Sequence, residues 1–362
     1  MDDISFSIYT EKIHDKGEDS DPLLIVEENF GLLGVFDGLG GAGGTQYEEE
    51  GVIHTGAYYS SRVTRDSISN FFQEFVFRGF ADHFKNNIDK AQKIVYRCFD
   101  LFLLDTLKNQ ICDALRAKIN KIEKEPSKIR SSLIKRLPTT AVFMFYQKEL
   151  STRELLCFII WAGDSRGYCL DVNHGLRQIT RDDIKTDGDA LDNLKDDSPM
   201  SNFIHIEEYS FKLNKREDAI KIPTILLVAT DGCFGYLDSP MHFEYILLKT
   251  MNESNSPDEW KEKIESEIKK ITNDDATLAL VAIGWPNFDK LKIDFDKRYI
   301  ILADKYINPI FEIDTEMKSK QNSLSESNDI DNYEENRATL IKGIWDNYKK
   351  TYESMIVTGN NK

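Results

Sequence analysis

Cysteine is scarce in this chain: Cys98, Cys112, Cys157, Cys169 and Cys233 are the five among 362 residues, an odd number with no Cys-x-x-Cys pair. A disulfide framework and a thiolate zinc site fit this poorly, and reduced thiols in a cytoplasmic protein are expected. None of the five has Arg six positions later, so a thiolate loop cradling an anion is missing too. Long apolar runs are absent: no stretch approaches the roughly 18 consecutive residues that cross a bilayer. Met1-Asp2-Asp3 supplies neither the basic nor the apolar part of a signal peptide. Positive charge is also short, with 46 Lys plus Arg against 62 Asp plus Glu and a net charge of −16. That balance argues against nucleic acid and against anionic membrane surfaces, both of which are bound through cationic side chains.

What is present is ordinary for a globular protein, 41% hydrophobic and 30% charged. Length allows one large domain or two ordinary ones. Leu23–Val26 and Leu32–Phe36 flank Glu27-Glu28-Asn29 and predict a hairpin. Five glycines within 38–44 predict a loop with unusual φ values or close approach to a ligand. Helical spacing over about 45–124 predicts a long helical region, through Ile68, Phe71, Phe72, Phe75 and Val76 and again from Ile94 to Leu103. Apolar runs at 141–145, 155–161, 167–170, 225–229 and 276–283 predict strands, with helices at about 241–250 and 258–271. The acidic stretch Arg181 to Asn202 reads as a surface flap. Beyond Pro286, residues 287–315 are mixed and add strands in this reading. Polar residues 316–335 read as a linker, and Arg337 to Val357 as an amphipathic helix through Leu340, Ile341, Ile344, Trp345 and Tyr348. The expected division is a domain over 1–286 and an extension over 287–362. The expected fold is α+β, with layered sheets and helices.

The chemistry-bearing residues are acids at strand ends. Asp37-Gly38 follows Gly34-Val35-Phe36, Asp164 follows the run ending at Trp161, Asp231-Gly232 follows the run ending at Thr230, and Asp274-Asp275 precedes Leu278–Ile283. A strand end fixes a side chain while leaving it open to solvent, and carboxylates gathered so would hold Mg²⁺ or Mn²⁺. Taken singly, an Asp-Gly pair is by default a turn, and Asp164 could simply pair with Arg166. No Lys-Ser/Thr follows the glycines, as a nucleotide-binding loop would require. No calcium loop of the D-x-[DN]-x-[DN]-G type occurs either.

In order along the chain, these residues resemble the motifs of the metal-dependent Ser/Thr protein phosphatases, the protein phosphatase 2C family. Gly34-Val-Phe-Asp37-Gly38-Leu-Gly40-Gly41 is similar to its first metal motif, and Leu137-Pro-Thr139-Thr140-Ala141 to a strand entry. Ala162-Gly163-Asp164-Ser165-Arg166 and Leu176-Arg-Gln-Ile-Thr180 follow, then Leu227-Val-Ala-Thr230-Asp231-Gly232 and Asp274-Asp275-Ala-Thr277. The resemblance spans about residues 1–285. It implies two stacked antiparallel sheets flanked by helices, an α/β/β/α order, with metals in a cleft at one end. It also implies that Asp37 bridges two Mn²⁺ or Mg²⁺ ions, that the Gly38 carbonyl binds one, and that Asp231 and Asp274 hold the other. Glu18 would contact metal through water, with Asp19 supporting it, and Asp164 would hold a third ion. His14 stands where the family has a phosphate-binding Arg, and Leu39 where vertebrate members have a His proposed as general acid. The implied activity is hydrolysis of phosphoserine and phosphothreonine in a phosphoprotein, opposite a cognate kinase. The departures at His14 and Leu39 leave a catalytically weak binding module as the alternative.

Overall fold

The apolar runs are continuous rather than alternating, which requires strands covered on both faces. The computed structural model, which describes residues 3–77, 101–124, 136–149, 151–186, 188–195, 199–207, 210–320 and 327–356, meets that requirement. The chain opens with β1 (Ile4–Thr10) and the hairpin β2 (Leu23–Val26) and β3 (Phe30–Val35). A single helical turn α1 (Gly40–Gly43), a small hairpin β4 (Gln46–Glu49) and β5 (Val52–Thr55), and α2 (Gly56–Phe71) follow. Next come α3 (Leu101–Ile119), β6 (Glu123–Lys124), β7 (Ala141–Glu149), β8 (Glu154–Ala162), β9 (Arg166–Asp171) and β10 (Gly175–Gln178). The flap contains α4 (Asp192–Lys195) and leads into β11 (Asn214–Lys221) and β12 (Thr224–Ala229). Helices α5 (Pro240–Glu253) and α6 (Pro257–Ile271) precede β13 (Ala276–Ile283). Helices α7 (Phe288–Leu302), α8 (Asn308–Lys320) and α9 (Ser327–Tyr352) complete the described chain.

One sheet has the order β1-β13-β12-β9-β10 and the other β11-β8-β7-β3-β2, with every pairing antiparallel. Side chains alternate between faces along a strand, and this sorts the apolar residues into layers. Val142, Met144, Leu226, Val228, Ala279 and Val281 meet between the sheets. Their neighbours Leu227, Leu278 and Leu280 turn outward under Trp260 and Leu247 of α6 and α5. Phe143 and Phe145 turn the other way, against Phe72 and α3. The result is the α/β/β/α order.

Three stretches differ from expectation. Residues 46–55, expected as helix, form the β4–β5 hairpin, because Val52, Ile53 and Thr55 are β-branched and Glu50-Gly51 turns the chain with positive φ at both positions. Ile94, Val95, Cys98 and Phe99 lie outside the described residues. Residues 287–315 are helical rather than stranded, starting from Asn287, whose side chain caps the Lys290 amide. The linker expected over 316–335 is helix through Lys320 and again from Ser327. Tertiary ties outweigh its polar composition: Asp314 accepts from Tyr333 Oη at 2.6 Å and from Arg337 Nε at 2.7 Å, and Arg337 also reaches Asp238.

Helix α9 belongs to the same apolar cluster as the outer face of its sheet, through Ile341, Trp345, Tyr348 and Tyr352. Glu244, fully buried, accepts from Arg298 at 2.7 and 2.9 Å and from the Tyr348 hydroxyl, tying α5, α7 and α9 together. Burying each such aromatic is worth roughly 3–5 kcal/mol at about 25 cal/mol/Å², so losing several exceeds the usual net stability of a domain. Deleting residues 317–362 should therefore give a protein that aggregates or lacks a cooperative thermal transition. A sharp melt within about 3 °C of the full chain would show that α9 contributes little.

Candidate metal and catalytic site

Strand register gathers the acids. In one sheet Val35 of β3 lies opposite Val142 of β7, and Ala141 opposite Ala162, so Asp37 and Asp164 leave that sheet at the same end. In the other, Ala229 lies opposite both Leu278 and Arg166, which puts Asp231, Asp274 and the entry to β9 at that end too. Thr10 opposite Ala276 brings the segment after β1 beside them. Each sheet thus supplies two of the four strand-end acids.

The Asp-Gly pairs are not left-handed turns, since neither Gly38 nor Gly232 has positive φ. What they need is room. A Cβ on Gly38 would lie 2.4 Å from the Glu18 carbonyl oxygen, and one on Gly232 would lie 1.8 Å from that of Asp275. The glycine stretch is therefore a close-packed junction, the single turn α1, rather than a loop of unusual φ. The Asp37 carbonyl is fixed by the Thr139 hydroxyl at 2.6 Å and the Thr140 amide at 2.8 Å. Glu18 accepts from the Thr55 hydroxyl at 2.5 Å, and Thr55 also caps α2. Asp19 is buried and accepts from Thr230 and Thr277 at 3.0 and 2.8 Å, one residue away from Asp231 and within the closing motif.

Several residues to which the sequence motifs assign no role here hold this arrangement. Asp275 accepts from the Lys12 and Glu18 amides at 2.8 and 2.6 Å, pinning the segment before Asp19 to the start of β13. Asp183 accepts from the Gly163 amide and from Asn202 and Asn214, which sets the turn carrying Asp164. Asp182 and Arg166 form a buried two-pronged pair at 2.7–3.2 Å, and the Arg166 guanidinium stands 4.4 Å over the Phe234 ring. Asp164 therefore does not pair with Arg166, whose partner is Asp182. Acidic residues inside the flap were the available signal. A cleft of about 300 Å³ opens on Asp164 and Asp231 and is walled by Ile184, Asn193, Lys195 and Tyr236.

Charge is crowded here. Burial, reinforced by the charges of Asp19, Asp231, Asp164 and Asp274, holds the Asp37 carboxyl well above the usual range. Burial, then Asp231 and Asp182, push Asp164 up to about 8. Burial, with Asp275 and Asp231, pushes Asp19 up to about 8, and burial with Asp274 pushes Asp231 up to about 6. Glu18 and Asp274 are raised as well, first by burial. One Asp164 oxygen, Oδ1, is buried without a hydrogen-bond partner. Buried acceptors left unpaired cost about 1–3 kcal/mol each. An orphaned carboxylate oxygen among mutually repelling acids fits a divalent cation, which the donor set of carboxylate and carbonyl oxygens also suits.

His14 stands at the surface, its side chain 89% exposed and its Nδ1 2.9 Å from Asp15. Two cations stand at this edge: Arg62, whose guanidinium reaches the Gly17 and Glu18 carbonyls at 3.3 and 3.4 Å over the Tyr58 ring, and Lys12, whose charge acts on Asp274. Among the described residues, Glu11, His14 and Asp15 are the one trio whose ligand atoms all lie within 4.8 Å of one another, and His14 and Asp15 are exposed. Cys233 is buried with its thiol donating to the Thr277 carbonyl at 3.4 Å, and burial pushes its pKa well up, which suits packing and not nucleophilic attack.

No protein-family description matches the chain, and no curated protein does. Solved structures match it in fold. The Ser/Thr phosphatase Stp1 from Staphylococcus aureus superposes with a TM-score of 0.53 at 15% identity, over 79% of this chain and 96% of that one. A bacterial serine phosphatase gives 0.53 at 16%, over 78% and 98%. PstP/Ppp, a Ser/Thr phosphatase of Mycobacterium tuberculosis, gives 0.50 at 13%, again over 78% and 98%. The chain has the fold of these bacterial Ser/Thr phosphatases.

Proposed function

We propose that the protein is a Mn²⁺- or Mg²⁺-dependent phosphatase of phosphoserine and phosphothreonine in a phosphoprotein, working in the cytoplasm opposite a kinase. The observation that carries this reading is the convergence of Asp37, Asp164, Asp231 and Asp274 from both sheets on one solvent-open end. Asp37 and the Gly38 carbonyl would hold one ion, Asp37, Asp231 and Asp274 a second, and Asp164 a third, with Glu18 contacting metal through water and Asp19 behind it. Divalent cations there lower the pKa of bound water and offset the negative charge of a phosphoryl group. The chain's own contribution is placement. Asp275 and Thr55 orient Glu18, Thr230 and Thr277 orient Asp19, and Asp183 sets the turn of Asp164. The buried thiols Cys112, Cys157, Cys169 and Cys233 suit a reducing compartment. Among the described residues no helix is long and apolar enough to cross a membrane.

The test is hydrolysis of a phosphothreonine peptide by the purified chain. Activity should require added Mn²⁺ or Mg²⁺, vanish with EDTA, and stay within about tenfold in Cys233→Ser, since a buried thiol serves packing. Mn²⁺ binding without turnover would instead identify a binding module. Loss of activity in a folded Cys233→Ser protein would point to thiol chemistry.

A further inference from the structure

The flap wall of the cleft has little support of its own. Helix α4 is a single turn, and no strand pairs with residues 188–195. Its local bonds are short-range: Asp189 accepts from the Leu191 and Asp192 amides at 3.0 and 3.1 Å. On the cleft side, Asn193 donates to Asp182 at 3.2 Å, the same carboxylate that holds Arg166. On the opposite side, the long-range polar ties among the described residues run to α9 or the turn after it. Lys349 Nζ lies 2.8 Å from Asp189 Oδ2, the Ala190 amide donates to Glu353 Oε1 at 2.9 Å, and Lys342 lies 3.6 Å from Asp192. Ala190 and Leu191 are buried in the cluster that contains Trp345 and Tyr352. The Tyr352 ring packs 6.3 Å from that of Tyr168, two residues beyond Arg166. A continuous path of contacts therefore runs from α9 through 189–193 to Asp182, Arg166 and the turn of Asp164.

We propose that the end of α9 is a clamp that holds residues 189–195 as one wall of the catalytic cleft, making Lys349 and Glu353 positioning residues for binding of the phosphopeptide. The proposal rests on the phosphatase reading for its functional half. Neither Lys349 nor Glu353 lines the cleft itself; Glu353 lines an adjoining cavity that shares Asp182, Ile184 and Asn193 with it, and both residues act through the wall. Asn193, Leu194 and Lys195 face Asp164 and Asp231 across it, so a wall free to swing outward loses its contacts with the peptide flanking the phosphoresidue. The acids themselves stay on their strand ends. The clamp therefore affects substrate binding before it affects the chemical step.

The experiment compares wild type, the double variant Lys349→Ala/Glu353→Ala, and the conservative double variant Lys349→Arg/Glu353→Gln, which keeps a donor to Asp189 and an acceptor for the Ala190 amide. Amide hydrogen exchange is read at Ala190–Lys195, together with KM and kcat for a phosphothreonine peptide. The alanine pair should speed exchange there about tenfold or more with the global melting point nearly unchanged. It should raise KM about tenfold while kcat moves less than about threefold, and the conservative pair should restore both. Unchanged exchange at 190–195 overturns the clamp. Faster exchange with unchanged KM, or kcat falling in step with a lowered melting point, overturns the positioning role. Should the wild-type chain hydrolyse no phosphopeptide under any divalent metal, the phosphatase reading and the binding role fail together, while the exchange measurement still decides the clamp.

Discussion

Asp37→Asn is expected to lower metal-dependent hydrolysis by about three orders of magnitude or more, because the lost charge disturbs both the ions and the acidity of their water. The same substitution should raise the melting point of the metal-free protein at pH 8. Asp37 is pressed by burial and by the charges of Asp19, Asp231, Asp164 and Asp274, and Asn, neutral in both the folded and the unfolded chain, removes that penalty at nearly constant volume. Its carbonyl remains fixed by Thr139 and Thr140. The two signs together are diagnostic. An Asp37 kept for structure alone would lose stability on becoming Asn and leave any hydrolysis proportionate to the folded fraction. Near wild-type turnover in the variant would remove Asp37 from the site.

The metal-free protein should lose stability as pH rises from 6 to 8, and millimolar Mn²⁺ should reverse this. An unfolded Asp titrates near 3.9, whereas in the fold Asp231 is pushed up to about 6 and Asp19 and Asp164 to about 8, in each case first by burial. Between those values the native state binds more protons than the unfolded one, so stability falls with rising pH. The contribution is complete below about pH 4 and is lost as pH passes the folded values; other carboxylates set the acid limit. A ligand of the native state at 100 times its Kd adds about 2.7 kcal/mol, or about 3–4 °C for a chain of this size. The measurement is a thermal melt in EDTA at pH 6 and 8, repeated with Mn²⁺. Identical melts in all four conditions would mean that these acids neither repel one another nor bind cations.

Much of this was legible in the residues. β13 occupies the run expected for it, since eight apolar or small residues buried on both faces leave no other reading. The hairpin of β2 and β3 and the acids after β3, β8 and β12 were visible because apolar runs stop abruptly at Asp. β1 escaped although Phe6, Ile8 and Thr10 alternate with Ser5, Ser7 and Tyr9 at the period of two. β11 escaped for a different reason. Asn214–Lys221 lies at a sheet edge, and its charges discourage further pairing while hiding it among loops. The roles of Asp275, Asp182, Asp183 and Arg62 are long-range, and no local pattern encodes which amide or carbonyl a side chain will meet.

The antiparallel pairing of β1 with β13 joins Ile4 to Ala282, and β1 has no other strand beside it in its sheet. On a ribosome this closure must wait until nearly 300 residues have emerged, because the partner of the first strand is among the last to be made. Asp274 arrives with that partner, and so does Asp275, the acceptor for the waiting Lys12 and Glu18 amides, so the acidic end cannot be assembled before β13 is made. Contacts of such sequence separation also slow folding through the entropy of closing the intervening loop. On this topology the acidic end is completed late and all at once, when the first and last strands of the sandwich meet.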